Sequence, residues 1–368
     1  MNILIIDNSN GFTGAFKCAL NEALLLKDAH RIVFVTPQNS TNIPLLKEKG
    51  FTVYPLPLKE ISKSLKAVFQ YPFYFIANLV RLKNIIAKEK IELVQVNDFY
   101  NLLGAGLKLS GAKIKLITYV RFLPASLPGS LRRLWTNAAQ RYSDKVIAVS
   151  DAVLQQLPSH PDTIRIYDPA LIEENLPPYR ASQAEVQFLY LANFTRGKGQ
   201  EHALAAFKNA YETHKNIRLN YVGGFLNLEK NKRFKEELQE ETKRMNLQDV
   251  VRFREFDSGV ERLLKTSAVL LNFSEAESFS MTCLEASYYG IPVIATRCGG
   301  PEEIIVHRET GWLVKKKNIE EMTSAMLQLA DDITLREQLG NAARTYVREK
   351  FSEQQFLQPF QQLLSSLS

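Results

Sequence analysis

Glu277 and Glu285 stand eight residues apart in Glu-Ser-Phe-Ser-Met-Thr-Cys-Leu-Glu, and the run continues through Gly290-Ile-Pro-Val-Ile-Ala-Thr to Gly299-Gly300-Pro301-Glu302-Glu303. Paired carboxylates at this spacing can hold the two hydroxyl-bearing ends of a nucleotide-linked sugar, one acid for a hexose and one for a ribose. Residues 268–272 read as a strand, followed by a polar turn and a helix that starts near Ser280, carries apolar Met281, Leu284 and Ala286, and stops at Gly290. The first amides of such a helix have no partner within it and carry partial positive charge, which suits a diphosphate. An amphipathic helix with two solvated acids is the plainer alternative, and the buried-strand pattern of residues 290–296 with a second turn-to-helix step weighs against it.

A second candidate element is Asn193-Phe-Thr-Arg196-Gly-Lys198-Gly199, between an apolar run and a helical stretch. Two cations around a glycine at a strand-to-helix turn can donate charge-assisted hydrogen bonds to a leaving diphosphate. The G-x-x-x-x-G-K-[ST] pattern is absent, which disfavours ATP hydrolysis. The first apolar run leads into Asp7-Asn-Ser-Asn-Gly11-Phe-Thr-Gly14, where Gly11 and Gly14 either form a plain tight turn or let backbone approach a ligand closely. This loop does not match G-x-G-x-x-G. No D-x-D pair is present, so no bound metal and no other cofactor is expected.

The elements that must position these residues are legible as alternation. Apolar runs at residues 3–6, 32–35, 93–96, 114–117, 146–149, 186–191, 219–222, 250–253, 269–271 and 293–295 are separated by helical stretches. Strands alternating with helices imply parallel sheets joined by right-handed crossovers. The chain of 368 residues exceeds what one core usually holds. The polar, proline-bearing stretch between Pro169 and Glu185 is the candidate linker. The expected α/β architecture is two Rossmann-like, doubly wound parallel-sheet domains facing a cleft: residues 1–170, completed by the helical tail 353–368, and residues 171–352.

The chain is 45% hydrophobic and 23% charged, the composition of a soluble globular protein. Met-Asn-Ile-Leu-Ile-Ile-Asp lacks a basic flank and reads as a strand. Three scattered cysteines, Cys18, Cys283 and Cys298, suit a reducing cytoplasm and no disulfide framework or zinc site. The net charge of +7 is uneven, with 22 basic against 14 acidic residues up to Arg180. No DNA- or RNA-binding module accompanies that excess, so nucleic acid is not an expected partner. Lys83, Lys88, Lys90 and Arg81, with Lys59, Lys63 and Lys66, interleave with Phe69, Tyr71, Phe73, Tyr74 and Phe75. This segment is either a helix resting on an anionic membrane face or an ordinary helix with inward aromatics.

These motifs resemble the retaining glycosyltransferases of family four, which have the GT-B fold. The resemblance rests on Glu277-x7-Glu285, Gly290-Ile-Pro-Val-Ile-Ala-Thr, Gly299-Gly-Pro-Glu-Glu-Ile-Ile, Thr310-Gly-Trp-Leu-Val and Lys198-Gly199. It implies that Glu285 binds ribose, Glu277 hexose and Lys198 the diphosphate, with amides of Phe279, Ser280, Met281 and Thr282 on sugar and phosphate. Phe253 and Arg254 fall where the family grips the base, in a segment running to Phe256. The family usually has arginine at position 193, here Asn193, with Arg196 a nearby substitute, and histidine where Arg121 stands. Arg121 either faces the cleft or pairs with a carboxylate. The implied activity is transfer of a hexose-type sugar from a nucleotide sugar to a saccharide or lipid-linked saccharide acceptor. An epimerase or a hydrolase on the same fold is the alternative.

Overall fold

The computed structural model describes every residue except 59–64, 172–178, 181–184, 227, 256–258 and 368. Lys59, Lys63, Phe256 and most of the candidate linker therefore lie outside the described residues. The chain forms two compact units, Met1–Pro169 with Glu353–Ser368, and Ala170–Ser352.

The first unit holds a seven-stranded sheet in the order β3-β2-β1-β4-β5-β6-β7. Its strands are β1 (Asn2–Ile6), β2 (Arg31–Pro37), β3 (Thr52–Leu56), β4 (Leu93–Val96), β5 (Lys115–Val120), β6 (Lys145–Ala148) and β7 (Thr163–Arg165). Every pairing is parallel. The second unit repeats the design with six parallel strands in the order β10-β9-β8-β11-β12-β13. These are β8 (Val186–Leu191), β9 (Ile217–Val222), β10 (Val251–Arg254), β11 (Val269–Asn272), β12 (Val293–Thr296) and β13 (Trp312–Val314). The expected pair of Rossmann-like doubly wound sheets is therefore present.

Central strands are buried on both faces, which is why they read as unbroken Ile, Leu and Val runs. The strands that alternation missed, β3, β7 and β13, all lie at sheet edges. β3 carries Pro55 and is mostly half-exposed, and the other two are three residues long. An edge strand needs no two-sided apolar run, and proline is tolerated there. Helix Glu353–Leu367 buries Phe356, Phe360, Leu363, Leu364 and Leu367 and counts with the first unit.

Strand order reverses between β1 and β4 in the first sheet and between β8 and β11 in the second. Ligands of open α/β sheets bind beyond the carboxyl ends of the strands at such a reversal. In the second unit that location is built by the loop after β8 (residues 192–199) and the loop after β11 (residues 273–280). Among the described residues no helix is long and apolar enough to cross a membrane.

Candidate functional site

The reversal in the second sheet brings Lys198 and Glu277 together. Lys198 Nζ donates to Glu277 Oε1 at 2.8 Å, and Ser274 Oγ donates to the same oxygen at 2.7 Å. The Lys198 side chain is 35% exposed and that of Glu277 15%, so the pair is reachable from solvent yet shielded on one side. Burial pulls the Lys198 ammonium towards neutrality, and the Glu277 carboxylate outweighs it, holding the lysine above its ordinary value. Lys198 thus stays charged.

The backbone around the pair is fixed from below. The buried Tyr190 hydroxyl accepts from the Phe273 amide at 2.8 Å and donates to the Lys198 carbonyl, tying the two loops together. Gly199 has φ +78°, and a Cβ there would lie 2.0 Å from the Phe273 carbonyl oxygen, so only glycine lets the lysine loop close on the β11 loop. Glu277 is pinned on its other side: its amide donates to Cys298 O at 3.2 Å and its carbonyl accepts from Gly300 N at 2.8 Å. Its position is therefore set by the ends of β8, β11 and β12 at once.

Four residues after Glu277, helix Met281–Tyr288 begins. Its first residue follows Ser280, which has φ +85°, a left-handed conformation unusual for serine and ordinary for glycine. Asn272 Nδ2 donates to Ser280 Oγ at 2.9 Å and helps to hold that geometry. Phe279 is buried with its ring 5.4 Å from that of Phe351, while a Cβ on Gly300 would sit 2.2 Å from Phe279 Cα. The segment that presents the helix amides is thus clamped between a ring and a bare backbone. Cys283 and Cys298 are buried beside it, and burial pushes both thiols up to about 12, which suits space-filling and not nucleophilic use.

The remaining expected residues are placed as follows. Met281 and Glu285 are buried on the helix and Thr282 is half-exposed near its start. Asn193 accepts from the Gly224 amide at 3.2 Å through its side chain and so joins the loops after β8 and β9. Phe253 stacks on Tyr221 at 5.1 Å, next to exposed Arg254, whose carbonyl accepts from Gly223. Arg196, two residues before Lys198, has its guanidinium 4.8 Å from the Phe234 ring and pairs with exposed Glu237. Gly14 opens helix Gly14–Leu26 in the first unit, and a Cβ there would meet only open space. Tyr190, Asn272 and Ser274 escaped the sequence reading, and so did the contact that Gly300 makes with Phe279, because each depends on how the loops after β8, β11 and β12 fold against one another.

Arg121, expected as a charge for the reaction, sits in a buried network of the first unit instead. Its side chain is 2% exposed, pairs with Asp168, reaches Glu22 Oε2 at 3.2 Å and Asn97 Oδ1 at 2.8 Å, and lies over the Tyr119 ring. Of the two options left open by its position, the structure shows pairing with carboxylates. Burial raises Glu22 to about 7 against the pull of Arg121, Tyr119 and Gln95, and raises Asp98 to about 7 likewise. Also in this unit, beyond β1, β4 and β5, is a cavity of about 230 Å³. Tyr71, Tyr74, Phe75, Tyr100, Phe122 and Trp135 line it with the amides of Asn8, Asn78 and Asn101, and among the described residues no charged side chain takes part.

Two family models divide the chain between them: Glycosyltransferase Family 4 matches residues 13–166 and Glycosyl transferases group 1 matches residues 172–346. The chain belongs to this glycosyltransferase family. N-acetyl-alpha-D-glucosaminyl L-malate synthase of Bacillus anthracis is 26% identical over 364 residues, covering 92% of this chain and 89% of that protein. Among solved structures, Anabaena HepE in complex with UDP-glucose superposes with a TM-score of 0.84 at 21% identity, over 100% of both chains. Sucrose-phosphate synthase from Thermosynechococcus elongatus gives 0.83 at 18% identity, covering 100% of this chain and 98% of that one. These likenesses show the fold of the glycosyltransferase, and its own residues carry the rest.

Three outcomes follow from this geometry. Gly300→Ala must displace the Phe279 backbone, and a shift on the scale of an ångström should lower kcat/KM for a nucleotide sugar by about a hundredfold although no functional group changes; unaltered kinetics would refute the clamp. Arg121→Ala leaves Glu22 and Asp168 buried without their cation and should cost about 3–5 kcal/mol in urea unfolding. Because the folded-state values of Glu22 and Asp98 lie above ordinary carboxylates, their contribution is complete at low pH and is lost as pH rises through about 7. Stability should therefore fall from about pH 5 to about pH 8, and Glu22→Gln should flatten that slope; a stability that rises over this window contradicts the assignment.

Proposed function

We propose that this glycosyltransferase moves a hexose-type sugar from a nucleotide-sugar donor to a saccharide or lipid-linked saccharide, with retention of anomeric configuration, in the synthesis of a surface polysaccharide or glycolipid. The observation that carries the donor half is the half-exposed Lys198–Glu277 pair next to the start of helix Met281–Tyr288. The UDP-glucose complex of HepE supports the donor class. The aromatic and amide lining that the described residues give the cavity of the first unit supports an acceptor whose recognised part is a neutral sugar or apolar group.

Without donor, Glu277 neutralises Lys198 and holds its side chain in place. The incoming diphosphate draws the ammonium to itself and to the helix amides, and the Glu277 carboxylate is released to the hexose hydroxyls, while Glu285 takes the ribose. The bond from the anomeric carbon to the phosphate oxygen then breaks with its electron pair going to phosphate. The acceptor hydroxyl bonds to the same face of that carbon, and its proton passes to the departing phosphate oxygen. Glu277 and Glu285 are both engaged in binding, which leaves no second acid for a covalent route and favours this front-face path over double displacement. Lysine and helix amides supply the positive charge, so the reaction is proposed to run without a divalent metal or other cofactor.

Lys198→Ala should lower kcat about a hundredfold, the usual effect of removing one preorganised charge. Glu285→Gln should raise the donor KM, and a chelator should change neither constant. These are measured by nucleotide release from a panel of UDP-, GDP- and ADP-sugars, with proton NMR of the first product reporting its anomer. Wild-type kcat/KM in both variants would overturn the site, and an inverted product would overturn the mechanism.

A further inference from the structure

Helix Leu65–Glu89 has two apolar sides. One side turns inward, where Tyr71, Tyr74, Phe75 and Asn78 wall the cavity of the first unit. The other leaves Phe69 82%, Phe73 73%, Ile76 62% and Val80 56% exposed. At about 100° per residue these four fall within an arc of about 60°, one narrow stripe along roughly 16 Å of helix. Aromatic spacing alone left an inward and an outward reading open, and the structure divides the rings between the two.

The stripe has apolar neighbours. This helix packs on helix Leu103–Leu109, which packs on helix Gly129–Tyr142, all three on one face of the sheet by right-handed crossovers. Lys83 Nζ donates to Ser110 O at 2.9 Å, beside Leu109, which is 67% exposed, and Leu134 of the third helix is 51% exposed. Of the large exposed apolar residues among those described, only Leu228 belongs to the second unit. Exposed Arg81, Lys83, Lys90, Arg132 and Arg133 accompany this surface, and none forms an ion pair with a described carboxylate. The nearby acids are already engaged, Glu89 with Arg31 and Asp144 with Lys108.

We propose that this face is a docking surface for an anionic lipid bilayer, with helix Leu65–Glu89 lying in the plane of the interface. Charge selects this occupant. Two copies of the chain would bring the same uncompensated cations against each other, whereas acidic headgroups complement them while the rings enter the acyl boundary and the long basic side chains reach back to the phosphates. The inference deepens the lipid-linked acceptor reading, since the same helix would then carry the cavity wall at the membrane surface.

The test is co-sedimentation of the full chain with vesicles in the absence of any nucleotide sugar, so that its result is separate from that of the transfer assay. Binding to phosphatidylglycerol vesicles is expected, with little on pure phosphatidylcholine and a marked loss at high salt. The Phe69→Ser, Phe73→Ser double variant and, separately, Lys83→Glu should each lower the partition coefficient on the order of tenfold, with an unchanged thermal midpoint and unchanged donor turnover in vesicle-free solution. Absence of binding to the anionic vesicles, or binding equal in wild type and variants, overturns the proposal. Light scattering that shows a wild-type dimer dissociated by the same substitutions, with no vesicle binding, assigns the face to self-association and overturns it as well.

Discussion

The second unit depends on one charge pair kept half open. Lys198 and Glu277 arrive from loops 79 residues apart in the chain, and they meet because the strand order reverses between β8 and β11. Neither residue could hold its place alone. A lysine at a loop tip is solvated and mobile, and a lone glutamate against a helix start would compete with an anionic ligand. Paired, each limits the other, and the hydroxyls of Tyr190 and Ser274 fix the loops that carry them. The pair retains enough exposure to exchange its internal partner for an external one.

The first unit shows what happens when the same ingredients are sealed. Arg121 lies past the end of β5, in a position comparable with that of a ligand-binding cation, yet its side chain is 2% exposed and ringed by Asp168, Glu22 and Asn97. A fully satisfied buried cation has no unmet demand for a ligand, and removing a partner is costly. Exposure, more than residue type, separates the sealed cation from the one a ligand can reach. The open chemistry of this unit lies instead in the aromatic cavity and on the outer face of helix Leu65–Glu89.

Much of the fold was legible because central parallel strands are buried on both faces and therefore announce themselves as apolar runs. The edge strands β3, β7 and β13 were not, since β3 and β7 are largely half-exposed and lack that signature, and β13, though buried, is only three residues long. Within the candidate site, the helix start and the turns that carry Lys198 and Glu277 were readable from local pattern. The contacts of Arg196 were not readable, because a flexible side chain in a turn is claimed by whatever lies nearby, here the ring of Phe234 and the carboxylate of Glu237. Gly300 was visible as a motif residue, but its contact with Phe279 is not a local property.

By itself the amino-acid order determined the alternation of strands and helices, the turn at which each begins, and the residue types able to meet phosphate and sugar, all of which depend on interactions within a few residues. Tertiary structure alone decided which cations stay reachable, which glycines must lack a side chain, and which face of helix Leu65–Glu89 is left uncovered. Those outcomes depend on exclusion of water and on backbone contact between segments far apart in the chain, and no local pattern encodes either.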